Sequence, residues 1–387
     1  MTSRRTLLQG TLFGSAAALL PAAASASGNG ASLRLPAAAS ASGNGPSLRL
    51  PAAASASGNG SSLRLPAPAG PYPVGIQRVH LTDPARNDPW VGGTRELMLT
   101  VLYPARSVRG LSRAPQLTPA EAGVFAEYAP RVHPGLPEPG AVDWGAVLTH
   151  GYVNAPPLPG RRPVLVYSPG GGDSRTLGTT LAEDLASHGR VVVLVDHPGD
   201  ASQVELPTGI RTTVLTGAPD PATFRTMTDT RVADLRLVLD RLSDLPPAPV
   251  MDFRRVGLYG HSAGGTAAVY AACGDRRVGA VVNLEGYLDL YPTPAEVDRP
   301  LLLFRTDGFE GAARIESSWA GLPGRRMLLA DANHWAFTDY GSLVARLQMA
   351  GLVTATARAA LIGTADPVMA LAEVRRRVGA FFARHLL

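Results

Sequence analysis

A single pentapeptide of this 387-residue chain has the form Gly-x-Ser-x-Gly: Gly260-His261-Ser262-Ala263-Gly264. The pattern suits a serine nucleophile. Glycines on both flanks allow a sharp, strained turn that side chains would block. The apolar run Val256–Tyr259 precedes it and the helix-forming Thr266–Ala272 follows, a strand–turn–helix context. A helix beginning there favours negative charge beside the serine. A serine hydroxyl is a poor nucleophile until a base takes its proton. The chemistry implied is acyl transfer through a covalent serine intermediate.

In sites of this kind an acid and then a histidine follow the serine along the chain. Only His334 and His385 come after Ser262. His385 closes an amphipathic C-terminal segment and reads as a helix-end cation. His334 lies in the loop Asp331-Ala332-Asn333-His334-Trp335, just past the apolar run Met327–Ala330. It is therefore the expected general base. Two acids stand at strand ends between Ser262 and His334. Glu285 follows Val281-Val282-Asn283-Leu284, and Asp307 follows Leu302-Leu303-Phe304-Arg305-Thr306. The usual position after the later strand favours Asp307, but residue physics alone leaves the choice open. A developing oxyanion needs two backbone donors. One is the amide of Ala263, after the nucleophile. The other is expected from the glycine-rich loop Ser168-Pro169-Gly170-Gly171-Gly172-Asp173. That loop lacks the Gly-Lys-Ser/Thr ending of a phosphate cradle.

The elements that must hold these residues read as strands alternating with helices. Gly75–Thr82 and Glu96–Tyr103 open the series. Strand-length apolar runs follow at Val164–Tyr167, Val191–Val195, Val256–Tyr259, Gly279–Leu284, Leu301–Phe304 and Met327–Ala330. Helical patterns lie at Thr176–Ser187, Thr230–Leu242 and Pro367–His385. The last carries an apolar stripe through Val368, Leu371, Val374, Val378, Phe381 and Phe382. Continuous apolar strands between helices predict an α/β protein whose mostly parallel sheet is covered on both faces. Residues 115–160 are rich in proline and glycine, with a helical piece at Pro119–Tyr128, and are expected to border a cleft.

Composition narrows the class further. The chain is 45% hydrophobic and 17% charged, which suits a globular enzyme. All 36 cations are arginines and the net charge is +5. They are scattered, often beside acids, which argues against a nucleic-acid surface and for a solvated basic one. Weak contact with an anionic membrane surface stays compatible with that charge. Cys273 is the only cysteine, so no intrachain disulfide can form, and its apolar surroundings predict a buried thiol.

The N-terminus is not read as fold. Arg4-Arg5 before a short apolar stretch reads as a twin-arginine export signal over residues 1–26, implying a secreted protein. Pro21–Leu35, Pro36–Leu50 and Pro51–Leu65 then share one 15-residue repeat of alanine, serine and glycine. Residues 27–70 are expected to be a disordered spacer, leaving a catalytic domain over 71–387.

Several segments together resemble the platelet-activating factor acetylhydrolase type II group of α/β-hydrolases and its secreted bacterial relatives. They are Tyr167–Gly172 with Asp184-Leu185-Ala186-Ser187-His188-Gly189, the elbow Gly260–Gly265, Asn283-Leu284-Glu285-Gly286, and the histidine loop to Phe337. The resemblance implies the α/β-hydrolase fold. It puts the acid at Glu285, where the group usually has aspartate, and leaves Asp307 in reserve. It also implies the Gly171 amide as second oxyanion donor. Pro169 stands where the group often has histidine.

The expected function is hydrolysis of short-acyl or lipid esters by Ser262, His334 and Glu285. No metal, cofactor, nucleic acid or obligate protein partner is implied. A polyester or cutin-type hydrolase, a peptidase, and a non-catalytic binding module are the rival readings.

Overall fold

Alternate residues of an extended strand face opposite sides of a sheet, so an all-apolar strand needs cover on both. The computed structural model, which describes residues 63–291 and 297–386, meets that need. The expected export signal and the repeats up to residue 62 lie outside the described residues.

The described residues form twelve strands: β1 (Val74–Asn87), β2 (Thr94–Pro104), β3 (Arg113–Pro115), β4 (Leu148–Val153), β5 (Arg162–Ser168), β6 (Val191–Val195), β7 (Gln203–Leu206), β8 (Gly209–Thr212), β9 (Met251–His261), β10 (Val278–Leu284), β11 (Leu301–Thr306) and β12 (Arg325–Leu329). Ten form one sheet in the order β12-β11-β10-β9-β5-β6-β2-β1-β4-β3, and β7 pairs with β8 as a hairpin. The run from β12 to β6 is parallel throughout, while β2 joins β6 antiparallel and β1 joins β2 antiparallel. This is the mostly parallel α/β-hydrolase sheet the sequence predicted.

The helices are α1 (Pro119–Val132), α2 (Thr179–Ser187), α3 (Pro221–Asp240), α4 (Ala263–Ala272), α5 (Ala312–Trp319), α6 (Tyr340–Met349), α7 (Ala355–Ile362) and α8 (Pro367–His385). Strand alternation sorts α2, α3, α4, α5 and α8 into two layers, while α1, α6 and α7 pack with one another in a separate cluster. Val164, Val166, Val191 and Val193 pack with Leu235 and Val238 of α3, Ala267 and Ala271 of α4, and Ile315 and Trp319 of α5. Their neighbours Leu165, Tyr167, Val192 and Leu194 pack on the other face with Leu181 and Leu185 of α2 and Val378 and Phe382 of α8. Each such aliphatic side chain contributes roughly 1.5–3 kcal/mol by leaving water.

Helix starts follow local chemistry. Asp220 accepts hydrogen bonds from the Ala222 and Thr223 amides, with Pro221 at the first helical position of α3. Asp366 and Pro367 do the same for α8. Thr118 and Glu121 form a reciprocal capping box on α1.

Four sequence expectations need correction. Leu65 is only 3% exposed and packs against Phe125, Trp144 and Leu343, so the folded part takes in residues assigned to the spacer. The Ala69 and Gly70 amides donate to Asp184 Oδ1 and Ser187 Oγ of α2, which ties this stretch down further. Val368 is 72% exposed, so the buried stripe of α8 begins at Val374. Cys273 is half-buried, because it caps α4 at the surface end of its apolar run. The basic residues are not all solvated. Arg95, Arg175 and Arg231 are fully buried, each beside acids that offset its desolvation.

Candidate active site

Parallel strands bring their carboxyl ends to one edge, and ligands of open α/β sheets bind outside that edge. Ser168, Ser262, Glu285 and Thr306 stand at or just past the ends of β5, β9, β10 and β11. His334 opens a 3₁₀ turn, His334–Phe337, after β12. The five residues therefore share one edge.

Ser262 links β9 to α4 with φ 53° and ψ −124°, a conformation L-residues rarely hold. Its surroundings enforce it. The Ser262 amide donates to Leu284 O at 2.8 Å, and Ser262 O accepts from the Thr266 amide at 3.1 Å. The flanking glycines are sterically required. A Cβ on Gly260 would stand 2.3 Å from the Gly264 backbone, and one on Gly264 would stand 2.0 Å from Ser168 O. Gly286 extends the requirement to the acid's loop, since its Cβ would come within 2.3 Å of Ser262 O.

Glu285 also has positive φ, 61°. Asn283 pins its turn, accepting from the Gly286 amide at 2.6 Å and donating to Gly286 O at 3.0 Å. Glu285 Oε1 accepts from the Thr306 amide at 2.5 Å and from Thr306 Oγ1 at 2.8 Å. Its other oxygen, Oε2, lies 2.8 Å from His334 Nδ1. Asp307, the reserve acid, does not touch the imidazole. It accepts from the Asp331 and Ala332 amides at 3.0 and 3.2 Å and so braces the loop that carries His334.

His334 is 4% exposed, and the Phe309 ring stacks on it with centroids 4.1 Å apart. His261, the chain neighbour of Ser262, has its ring centroid 4.4 Å from that of His334. His261 Nε2 also meets His334 O at 3.0 Å. The serine turn and the histidine turn are thus bound directly to each other. No hydrogen bond joins Ser262 Oγ to His334 Nε2; such contacts often tighten only with substrate.

Burial governs the charges. It lowers the His334 imidazole to about 3 and raises the Glu285 carboxyl to about 7. Three donors facing Glu285, from Thr306 and His334, favour its ionised form. The imidazole is neutral at rest, as a proton acceptor must be.

A Cβ on Gly171 would lie 3.6 Å from Ala263 Cβ, so the two expected oxyanion residues are neighbours. Neither amide has a hydrogen-bond partner among the described residues. Both donors are free for a ligand.

Beside them, Ala263 packs with Phe224 and Met227 of α3 and with the partly buried Trp90, Leu215 and Leu290. This apolar wall escaped the sequence reading, which began α3 at Thr230. The Asp220-Pro221 cap was the available signal. Residues 115–160 do border the site: Tyr128 Oη of α1 lies 3.4 Å from where a Gly172 Cβ would stand. Among the described residues no group of three or more His, Cys, Asp or Glu is arranged to hold a metal ion, and no helix is long and apolar enough to cross a membrane.

Sheet order, strained serine turn and buried acid–histidine pair define an α/β hydrolase. Comparison with known proteins narrows the class. The sequence model of platelet-activating factor acetylhydrolase, isoform II, matches residues 57–206. A probable 1-alkyl-2-acetylglycerophosphocholine esterase of Arthroderma benhamiae is 32% identical over 130 residues. That match spans 33% of this chain and only 32% of the fungal protein. A solved structure, the ferulic acid esterase from Streptomyces cinnamoneus, superposes with a TM-score of 0.70 at 35% identity, covering 84% of this chain and 94% of that one. The chain belongs to the α/β-hydrolase family of platelet-activating factor acetylhydrolase isoform II-like proteins.

Proposed function

We propose that the protein is a serine carboxylic ester hydrolase that works through an acyl-enzyme. The observation that carries the proposal is the Glu285–His334 contact beside the strained serine turn. Ser262 Oγ attacks the ester carbonyl while His334 Nε2 takes its proton. Glu285 holds Nδ1–H, fixing the tautomer and stabilising the imidazolium that forms. The Gly171 and Ala263 amides receive the oxyanion. His334 then returns the proton to the leaving alcohol, and water repeats the cycle on the acyl-serine.

The substrates we infer are esters of short or compact acyl groups, including acetylated lipids. The wall of Ala263, Met227 and Phe224 gives the acyl group an apolar seat next to the oxyanion donors. A second reading, esters of a hydroxycinnamic acid, is favoured by the 35% identity to a ferulic acid esterase over 94% of its length. Turnover of p-nitrophenyl acetate, methyl ferulate, acetylated phospholipid vesicles and polyester film ranks these readings and the cutin-type rival. Ser262→Ala is expected to lose about 10⁴-fold or more in kcat on every active ester. Retained turnover would end the proposal.

Export through the N-terminal twin-arginine segment belongs to the same reading. Replacing Arg4-Arg5 with Lys-Lys is expected to abolish recovery from the culture medium of a producing bacterium. Undiminished recovery refutes export by that route.

A further inference from the structure

The glycine loop that offers the Gly171 amide has no side chains of its own to hold it between Gly170 and Gly172. Arg231 of α3 does that work from below, and it is 0% exposed. All five of its N–H donors are used, the maximum a guanidinium has. Nε donates to Asp200 Oδ2 at 2.8 Å and Nη2 to Asp200 Oδ1. Nη1 donates to Pro169 O at 2.5 Å and to Ser168 Oγ at 3.4 Å. The remaining Nη2 hydrogen goes to Gly170 O at 2.9 Å.

The last contact bears on the chemistry. Gly170 C=O and Gly171 N–H belong to one planar trans peptide, so they point in opposite directions. Fixing the carbonyl on a buried guanidinium fixes the direction of the amide. The positive charge also polarises the peptide and strengthens its N–H as a donor. Clamping Pro169 O on the same fork holds the preceding peptide too.

A second chain of contacts braces the same loop. Ser168 Oγ meets His197 Nε2 at 2.9 Å, and His197 Nδ1 meets Asp234 Oδ2 at 2.9 Å. Asp234, one turn beyond Arg231, is paired with buried Arg95. This serine, histidine and aspartate repeat the order of a catalytic triad. All three are 0% exposed and Ser168 Oγ already accepts from Arg231, so the set supports the loop and meets no substrate.

We propose that Arg231 is the positioning residue of the oxyanion hole, aiming the Gly171 amide through the Gly170 carbonyl. The inference rests on the hydrolase reading above.

The test uses the full chain as wild type, Ser262→Ala, Arg231→Lys, Arg231→Met and the charge-neutral pair Arg231→Met/Asp200→Leu. Lysine keeps a charge against Asp200 but cannot reproduce the five-donor fork. Each is assayed on p-nitrophenyl acetate and titrated with a trifluoromethyl ketone, whose adduct on a serine carries an oxyanion. Arg231→Lys is expected to lose about 100-fold in kcat, the scale of one lost oxyanion donor, with KM within about 2-fold. The ketone's Ki should rise by the same factor that kcat/KM falls. The double variant should show the same loss while its thermal midpoint lies above that of Arg231→Met alone. A merely structural role would lower the active fraction and leave Ki unchanged, and that result overturns the proposal. So does a kcat within about 3-fold of wild type in Arg231→Lys. Activity in Ser262→Ala would instead sink the hydrolase reading, whatever the Arg231 variants do.

Discussion

Glu285 reaches His334 across two neighbouring loops, its Oε2 2.8 Å from the imidazole Nδ1, while Asp307 one strand further on bonds only backbone amides. The longer glutamate arm is accommodated because Thr306 grips the other carboxylate oxygen. Two acids at successive strand ends therefore have separate tasks, one holding the imidazole and one holding its loop.

Substitution separates those tasks. Glu285→Gln is expected to lower kcat by about 10²–10⁴-fold, through the wrong tautomer and an unstabilised imidazolium. Asp307→Asn should cost less than about 10-fold in kcat and about 1 kcal/mol of stability, from weakened bonds to the Asp331 and Ala332 amides. Ester kinetics and thermal unfolding of both variants check this. The reverse pattern would move the acid to Asp307.

The acid–histidine pair also sets a pH dependence. The proposed mechanism requires an ionised Glu285 and a neutral His334. Burial raises the carboxyl to about 7, so the pair gains its first proton near neutrality. Either location of that proton ends the active form, so kcat/KM should fall as pH drops through about 7. A profile of kcat/KM from pH 5 to 9 tests it; full activity at pH 5 contradicts it.

Glu183 on α2 gives a stability prediction away from the site. Its Oε1 accepts from the His150 and Gly151 amides at 2.5 and 2.8 Å, whereas the buried Oε2 has no partner. Burial raises this carboxyl to about 8 from an ordinary 4.5. Between those values the folded chain holds a proton that the unfolded chain has lost. Stability from this group is therefore present at acid pH and declines as pH rises, by at most about 1.4 kcal/mol per unit. Glu183→Gln should flatten the pH dependence of urea midpoints between pH 5 and 8. An unchanged slope refutes the assignment.

How much of this was legible in the sequence follows from the range of the forces involved. Val191–Val195 and Pro367–His385 were read with their observed bounds, because strand and helix periodicities are local. The Gly260–Gly264 turn was legible because its residue pattern is contiguous, although the backbone that excludes a side chain at Gly264 is that of Ser168 and Pro169, far back along the chain. Helices α5, α6 and α7 passed unnoticed, as did β3, β4, β7 and β8, which are short and owe their form to neighbours. The Arg231 clamp had no local signal, since Asp200, Pro169 and Gly170 come from distant segments. The choice of Glu285 over Asp307 was of the same kind. Residue spacing left it open and the family resemblance favoured Glu285, whose contact with His334 spans 49 residues of sequence.

The central claim is that Ser262, and no other hydroxyl, is the activated nucleophile. Labelling the folded protein with a fluorophosphonate and sequencing the modified peptide by mass spectrometry addresses it directly. The account predicts one adduct, on Ser262, and none in the Ser262→Ala variant. An adduct on Ser168, whose buried contacts to His197 and Asp234 mimic a triad, would contradict it, as would ester turnover that persists with Ser262 unlabelled.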